Sequence, residues 1–327
     1  MSLALPSRRD EAWKYSDLAR ALSGHDLSSV APARGGSVIA SMARAFAEEE
    51  RVLTIASRDG VHAVEHSLSH EARGAVTRIH VPALQAGMVV ETIYGHLNLA
   101  AGLSEIRIEE GGALTRIVIQ QDAQKAVSAE EIAQVALNEA RVSVAAGGTF
   151  RQFVIAEGAK LARIETHVAL DGEGGEVELN GVYMVREGRH ADLTSTVTHQ
   201  AANARTKQLI KGVARKGGRG VFQGRIVVPR GAQGTDARQY HRAILLEDGA
   251  EIDAKPELEI YADDVSCAHG NAIGALDADQ LFYARARGIP EAEARALLIE
   301  AFLIEAIPED LPQRDDLITR VQRWLQT

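Results

Sequence analysis

The chain opens with apolar positions spaced for a helix. Ser7 is followed three residues later by Asp10, an acidic variant of a capping box, and Ala12, Tyr15, Ala19 and Leu22 form a stripe behind it. The spacing predicts a helix over residues 8–22. Ser37 is placed to cap a second helix, with Ile39, Met42, Ala43 and Phe46 on its apolar side and the acidic run Glu48, Glu49, Glu50 at its end. Pro32, Gly35 and Gly36 mark the loop between the two.

From about residue 51 the helical period fades. Short runs such as Val52-Leu53-Thr54-Ile55, Ile106-Arg107-Ile108 and Ile117-Val118-Ile119, set between polar or glycine turns, read as strands. Ser128 and Glu131 make another capping box, which assigns helix to the segment from Ser128 to Ala140, although Val142-Ser143-Val144 behind it has the alternation of a strand. Between residues 141 and 275, runs such as Glu176-Val177-Glu178-Leu179, Arg225-Ile226-Val227-Val228 and Leu258-Glu259-Ile260-Tyr261 are divided by turns containing Gly148, Gly158, Gly172, Gly188, Gly231 and Gly249. This suits a β-solenoid and a sandwich alike, because the repetition follows no fixed motif.

The last fifty residues return to helix. Asp277 caps one, with Gln280 at its third position; Gly288 stops it, Pro290 opens the next, and Pro308 and Pro312 set off a final short one. The middle helix carries a strip of Ala294, Leu297, Leu298, Ala301, Phe302 and Ile304 that fits a core or another subunit.

Composition narrows the function. With 29 glycines and 4% aromatic residues, the chain favours many short turns over a few bulky anchors. A net charge of −9 argues against coating nucleic acid or an anionic membrane. No stretch approaches the ~20 apolar residues of a membrane span, so the expected location is cytoplasmic, with no membrane and no nucleic-acid partner. Between Leu193 and Thr235 lies an acid-free run bearing Arg205, Lys207, Lys211, Arg215, Lys216, Arg219, Arg225 and Arg230. Phe222 is its one aromatic residue, so base stacking has little support and a solvated or partner-facing edge fits better.

Cys267 is the one cysteine, which excludes an internal disulfide and a self-contained four-cysteine metal or iron–sulfur site. It sits in Asp263-Asp264-Val265-Ser266-Cys267-Ala268-His269-Gly270. In an extended strand, residues two apart point the same way, so Cys267 and His269 present sulfur and nitrogen together, a combination that suits a soft metal or an iron–sulfur cluster. Taken alone, a small buried thiol and a turn histidine fit the same residues. Asp263 and Asp264 face opposite sides of a strand, which favours turn or capping roles over an acid–base pair. The sequence contains no phosphate loop of the Gly-X-X-X-X-Gly-Lys-Ser/Thr type, no His-Glu-X-X-His and no Gly-X-Ser-X-Gly elbow.

Three segments resemble one family. Gly220-Val221-Phe222-Gln223-Gly224-Arg225-Ile226-Val227-Val228 followed by Gly231-Ala232-Gln233 is similar to the core shared by the SufB/SufD proteins of SUF-type iron–sulfur cluster assembly. Residues 236–289, with their Cys-X-His-Gly element and Phe-Tyr-X-X-X-Arg-Gly-Ile ending, resemble the SufD side of that family. Glu11-Ala12-Trp13-Lys14-Tyr15-Ser16-Asp17 is similar to its N-terminal Glu-X-Trp-Lys-Tyr element. The chain departs from the family pattern with Ala268 in place of serine and Asn271-Ala272 in place of Ala-Thr, which bears on hydrogen bonding around the thiol–imidazole pair and not on the pair itself.

The resemblance implies a mainly β protein, a right-handed parallel β-helix flanked by N-terminal and C-terminal helical regions. We place these at 1–70 (N-terminal), 71–272 (β-helix core) and 273–327 (C-terminal). It further implies a non-catalytic scaffold subunit that pairs with a SufB-like paralogue, or with itself when isolated, and docks a SufC-like ABC ATPase through residues 277–306. ATP would then bind only the ATPase, and no cofactor would be held tightly by this chain alone. His269, with Cys267 beside it, would join a transient Fe-S cluster shared with the SufB-like partner. Two alternatives from other classes are a β-helix carbohydrate-active enzyme using Asp263 and Asp264, and an RNA-binding solenoid using the acid-free run.

Overall fold

The structure, a computed structural model, describes residues 3–32, 37–55, 68–69, 74–94, 99–121 and 135–326. Within them the chain winds between two parallel sheets, each successive strand crossing to the other sheet. One sheet holds β1 (Ala47–Thr54), β3 (Gly74–Val81), β5 (Leu99–Ile108), β7 (Val135–Val144), β9 (Leu161–Leu170), β11 (His190–His199), β13 (Arg219–Val228) and β15 (Glu251–Ile260). The other holds β2 (Leu68–Ser69), β4 (Ala86–Tyr94), β6 (Ala113–Gln121), β8 (Thr149–Ala156), β10 (Glu176–Val185), β12 (Arg205–Ala214), β14 (Thr235–Leu245) and β16 (Val265–Gly274). Every strand pair within a sheet is parallel, so the architecture is a β-solenoid and the sandwich reading is excluded.

Tight corners make the stacking possible. Gly174 adopts φ +70°, and a Cβ on Gly172 would lie 1.9 Å from the Ala146 nitrogen of the corner below. The corners bond to each other as the strands do: Gly147 N donates to Glu173 O at 2.9 Å and Gly174 N to Ala202 O at 3.1 Å.

Alternation divides each strand between an inner and an outer face. Ile79, Ile106, Leu114, Val142, Phe150, Val168, Val177 and Val197 fill part of the lumen. A polar column runs through it as well. Arg116, whose side chain is fully buried, donates from Nε and Nη2 to Glu91 at 3.1 and 2.5 Å, from Nη1 to Gln152 at 2.6 Å and from Nη2 to Asn138 at 2.9 Å. A buried guanidinium is tolerable because so many of its donors are used.

The two outer faces carry the helices. The C-terminal helices α3 (Ala278–Ala286), α4 (Glu291–Ile304) and α5 (Arg314–Leu325) begin where Asp277 accepts bonds from Asp279 N and Gln280 N. Ile299, Leu303, Leu317, Val321 and Trp324 pack on Ile119, Phe153, Ile155, Met184 and Val213 of the even-numbered strands. In α4 the buried residues are Ala294, Ile299 and Leu303, while Leu297 is 48% exposed, so the docking stripe is rotated from the one expected.

Three expectations are corrected at the level of elements. Residues 8–22 form no continuous helix; a 3-10 turn at Glu11–Trp13 and a short helix, α1 (Leu18–Ala21), capped by Asp17, replace it. Tertiary anchors override the local pattern. The Arg163 guanidinium lies 4.1 Å from the Trp13 ring centroid, and the Ser16 hydroxyl donates to Asp192 at 2.5 Å. The expected helix capped by Ser37 is present as α2 (Val38–Phe46), but Glu50 belongs to β1 and pairs with Arg78. The helix assigned to 128–140 is overturned over its described part. Residues 128–134 lie outside the described residues, and Val135 begins a strand inserted between β5 and β9. Val135 and Leu137 pack outward on the N-terminal segment while Ala140, Val142 and Val144 face inward, a period of two that strand geometry satisfies. Among the described residues no helix is long and apolar enough to cross a membrane.

Candidate functional site

The end of the solenoid farthest along the chain is uncovered. Among the described residues β16 pairs only with β14, and β15 only with β13, so each leaves one backbone edge without a strand. The register sets Cys267 beside Ala237, His269 beside Gln239 and Asn271 beside His241. Alternation therefore brings Cys267 and His269 to one face of β16, the face toward the lumen.

Their surroundings differ. Cys267 packs against the small apolar cluster of Ile226, Val228, Ala232, Ala237 and Ala262. Burial raises its thiol pKa and Asp236 adds to the effect, against lowering by a backbone hydrogen bond from Ala237 and by Arg238, so at neutral pH the sulfur carries its proton. His269 is exposed and makes no hydrogen bond or ion pair with a described residue. It is thus an available nitrogen donor beside a sheltered sulfur.

A polar support lies one rung below. Gln239 is fully buried; its Nε2 donates to Gln208 Oε1 at 2.9 Å, and Gln208 in turn donates to Ser195 Oγ at 2.8 Å. The Gln239 Oε1 meets no donor among the described residues, and it belongs to the residue registered with His269. An imidazole that binds a metal commonly donates its other N–H to such a carbonyl. Gly224 makes room here, since a Cβ there would meet Gln239 Nε2 at 2.3 Å.

Beside it, His241 Nδ1 donates to Asn271 Oδ1 at 2.7 Å, which leaves Nε2 to accept the Tyr183 hydroxyl at 2.9 Å. Phe222 stacks on the imidazole with ring centroids 5.0 Å apart. Burial pulls His241 down to about 4, only partly opposed by the bond to Asn271, so the ring is neutral. The departure at Asn271 therefore has a hydrogen-bonding role. Sequence reasoning missed Gln239, His241 and Tyr183; the one signal was the inward alternation of Gln239 and His241 in β14.

Other candidates separate. Asp263 and Asp264 are exposed in the turn before β16, where the Asp264 backbone accepts from Gly234 N at 2.7 Å, a turn role. The cations of the acid-free run disperse over both sheets. Arg205 pairs with Glu176, Lys211 with Glu305, Arg219 with Asp253 and Arg225 with Glu259. Among the described residues no three His, Cys, Asp or Glu side chains meet as a metal site.

Comparison with known proteins adds a family. Residues 65–302 match the family model described as the SUF system FeS cluster assembly, SufBD core domain. An iron–sulfur cluster assembly SufBD family protein of Synechocystis is 33% identical over 207 residues, 63% of this chain and 44% of that protein. The iron–sulfur cluster assembly protein SufD of Escherichia coli is 36% identical over 148 residues, 45% of this chain and 35% of that protein. A SufBD family protein of Mycobacterium leprae is 27% identical over 98% of this chain and 91% of its own length. The chain thus spans less than half the length of the first two relatives.

Proposed function

The chain belongs to the SufBD core family of the SUF system for FeS cluster assembly, and from that premise we propose that it is a scaffold subunit on which iron and sulfide are assembled together with a second, SufB-like β-helix. The observation that carries this reading is the placement of His269, without a partner among the described residues, beside Cys267 on a terminal strand whose outer edge meets no other described strand.

Iron and sulfide are the cargo. A cluster takes about four protein donors, and this strand offers a thiol and an imidazole. The missing donors must come from another chain that reaches the same edge. Parallel strands with free N–H and C=O groups invite strand addition, and β15 and β16 are the two strands that have them at this end. A second copy of this chain could use the same edges, which makes a homodimer the competing occupant when the chain is alone.

Energy would enter through a SufC-like ABC ATPase. The sequence has no phosphate loop of its own. Helix α3 buries none of its residues; Phe282 is 72% and Tyr283 61% exposed, with Leu297 of α4 also outward. Covering each such side chain contributes about 1.5–3 kcal/mol, so these helices are the docking face we assign to the ATPase. Motion imposed there reaches the solenoid through α4, because the Lys211 ammonium of β12 is buried against Glu305 and lies 4.2 Å from the Phe302 ring centroid. No catalysis is assigned to this chain.

The test is coexpression with a SufB-like and a SufC-like protein. A stable complex containing all three is expected. A chain that purifies alone from that mixture and turns over a small substrate by itself would overturn the proposal.

A further inference from the structure

A cavity of about 280 Å³ lies between the N-terminal segment and the solenoid, and neither His269 nor Cys267 lines it. Its walls bring together Arg8 and Arg20 from the N-terminal segment, Lys160 from the turn before β9 and Arg219 from the start of β13, with Tyr15 and Asp17 between them. We propose that this cavity binds a small phosphate-bearing anion, which would join the N-terminal segment to the β-helix.

Four cations converge, and three of them, Arg8, Arg20 and Lys160, form no ion pair with a described residue. Arg219 is occupied by Asp253 at 2.7 Å, with Glu251 at 3.7 Å, while its Nε is buried without a partner. Arg8 donates from Nε to the Lys14 carbonyl at 3.2 Å and meets no described carboxylate. The side chains of Arg20 and Lys160 form no hydrogen bond or ion pair with a described residue. Asp17 is the one carboxylate in the wall, and its Oδ1 already accepts the Arg20 backbone N–H as a helix cap. His190 adds no charge, since burial holds it down at about 4.

Like charges held together repel, and an anion removes that cost. Phosphate suits these donors best, because guanidinium forks bond its oxygens in pairs and an ammonium completes the shell. The volume lies near the low end of small-molecule sites, about 300–1,000 Å³, which admits a phosphate ester with a small organic part and excludes a dinucleotide.

Calorimetric titration of the full chain at fixed ionic strength tests this, with inorganic phosphate, pyrophosphate and succinate as probes. Saturable binding of phosphate or pyrophosphate to a single class of site is expected. It should weaken by about tenfold or more in the double variant Arg20→Glu, Lys160→Glu and stay unchanged in Lys207→Glu, an exposed cation on β12. Absence of saturable binding, equal weakening by Lys207→Glu, or succinate binding as tightly as phosphate would each overturn the proposal. These titrations read anion binding in the absence of iron and sulfide, so their failure is distinguishable from a failure of cluster assembly.

Discussion

His269 and Cys267 occupy the same face of β16, yet one is solvent-facing and without a partner among the described residues while the other is sheltered by small apolar side chains. The strand period made that pair legible from sequence, since residues two apart must share a side. Gln239 and His241 were not legible. Gln239 meets Gln208, thirty-one residues earlier in the chain, and His241 meets Asn271, thirty residues later, only because the solenoid stacks them. Buried neutral imidazoles also set a pH dependence. Burial holds His199 and His241 at about 4 against 6.5 when free, so between those values the unfolded chain binds more protons than the folded one. Their stability contribution is full above pH 6.5 and is lost as pH falls toward 4. Glu165 extends the decline: burial alone would raise its carboxyl, but the Arg163 guanidinium brings it down to about 2 from 4.5, so its contribution goes below pH 4.5. Thermal melts across pH 8 to 4 should show Tm falling from about pH 6.5, and replacing His241 with Gln should flatten the upper part of that fall.

Among the elements, the helices differ in what holds them. Helix α5 seats Trp324, 1% exposed, against the even-numbered strands, with the Arg215 guanidinium 4.6 Å from its ring centroid. Truncating it to alanine should cost about 3–5 kcal/mol, measurable by denaturant unfolding. Helix α3 buries none of its residues and is tied to α4 by the exposed pair Arg285–Glu291. Phe282→Ser together with Tyr283→Ser should leave unfolding unchanged within about 0.5 kcal/mol while removing the ATPase from the copurified complex; retention of the ATPase would move the docking face elsewhere. Caps at Ser37 and Asp277 were readable because their hydrogen bonds are local. The helix expected over 8–22 was not, because Trp13 and Ser16 answer to Arg163 and Asp192, residues far along the chain. Ser128 to Ala140 misled for a related reason: a capping signal is local, while the pairing of β7 with β5 and β9 is not.

At the scale of the molecule, strands and glycine corners were evident in sequence while their stacking was not. One inward column reads Arg116, Gln152, Leu179, Gln208, Gln239 and His269 from rung to rung. Polar and apolar residues share that column, so no repeated word marks the period and a sandwich fits the same pattern. What the column does is deliver a polar lumen to an uncovered end, where two donors stand on a strand whose outer edge meets no other described strand. On the proposed reading, a second polypeptide completes this end. The most direct test is Mössbauer and absorption spectroscopy after anaerobic supply of iron and sulfide, run on the isolated chain, on its complex with the SufB-like and SufC-like partners, and on that complex carrying His269→Ala. A cluster is expected on the intact complex, with little on the isolated chain and a marked loss in the variant. A stable cluster on the isolated chain, or an unchanged one in the variant, would contradict that reading.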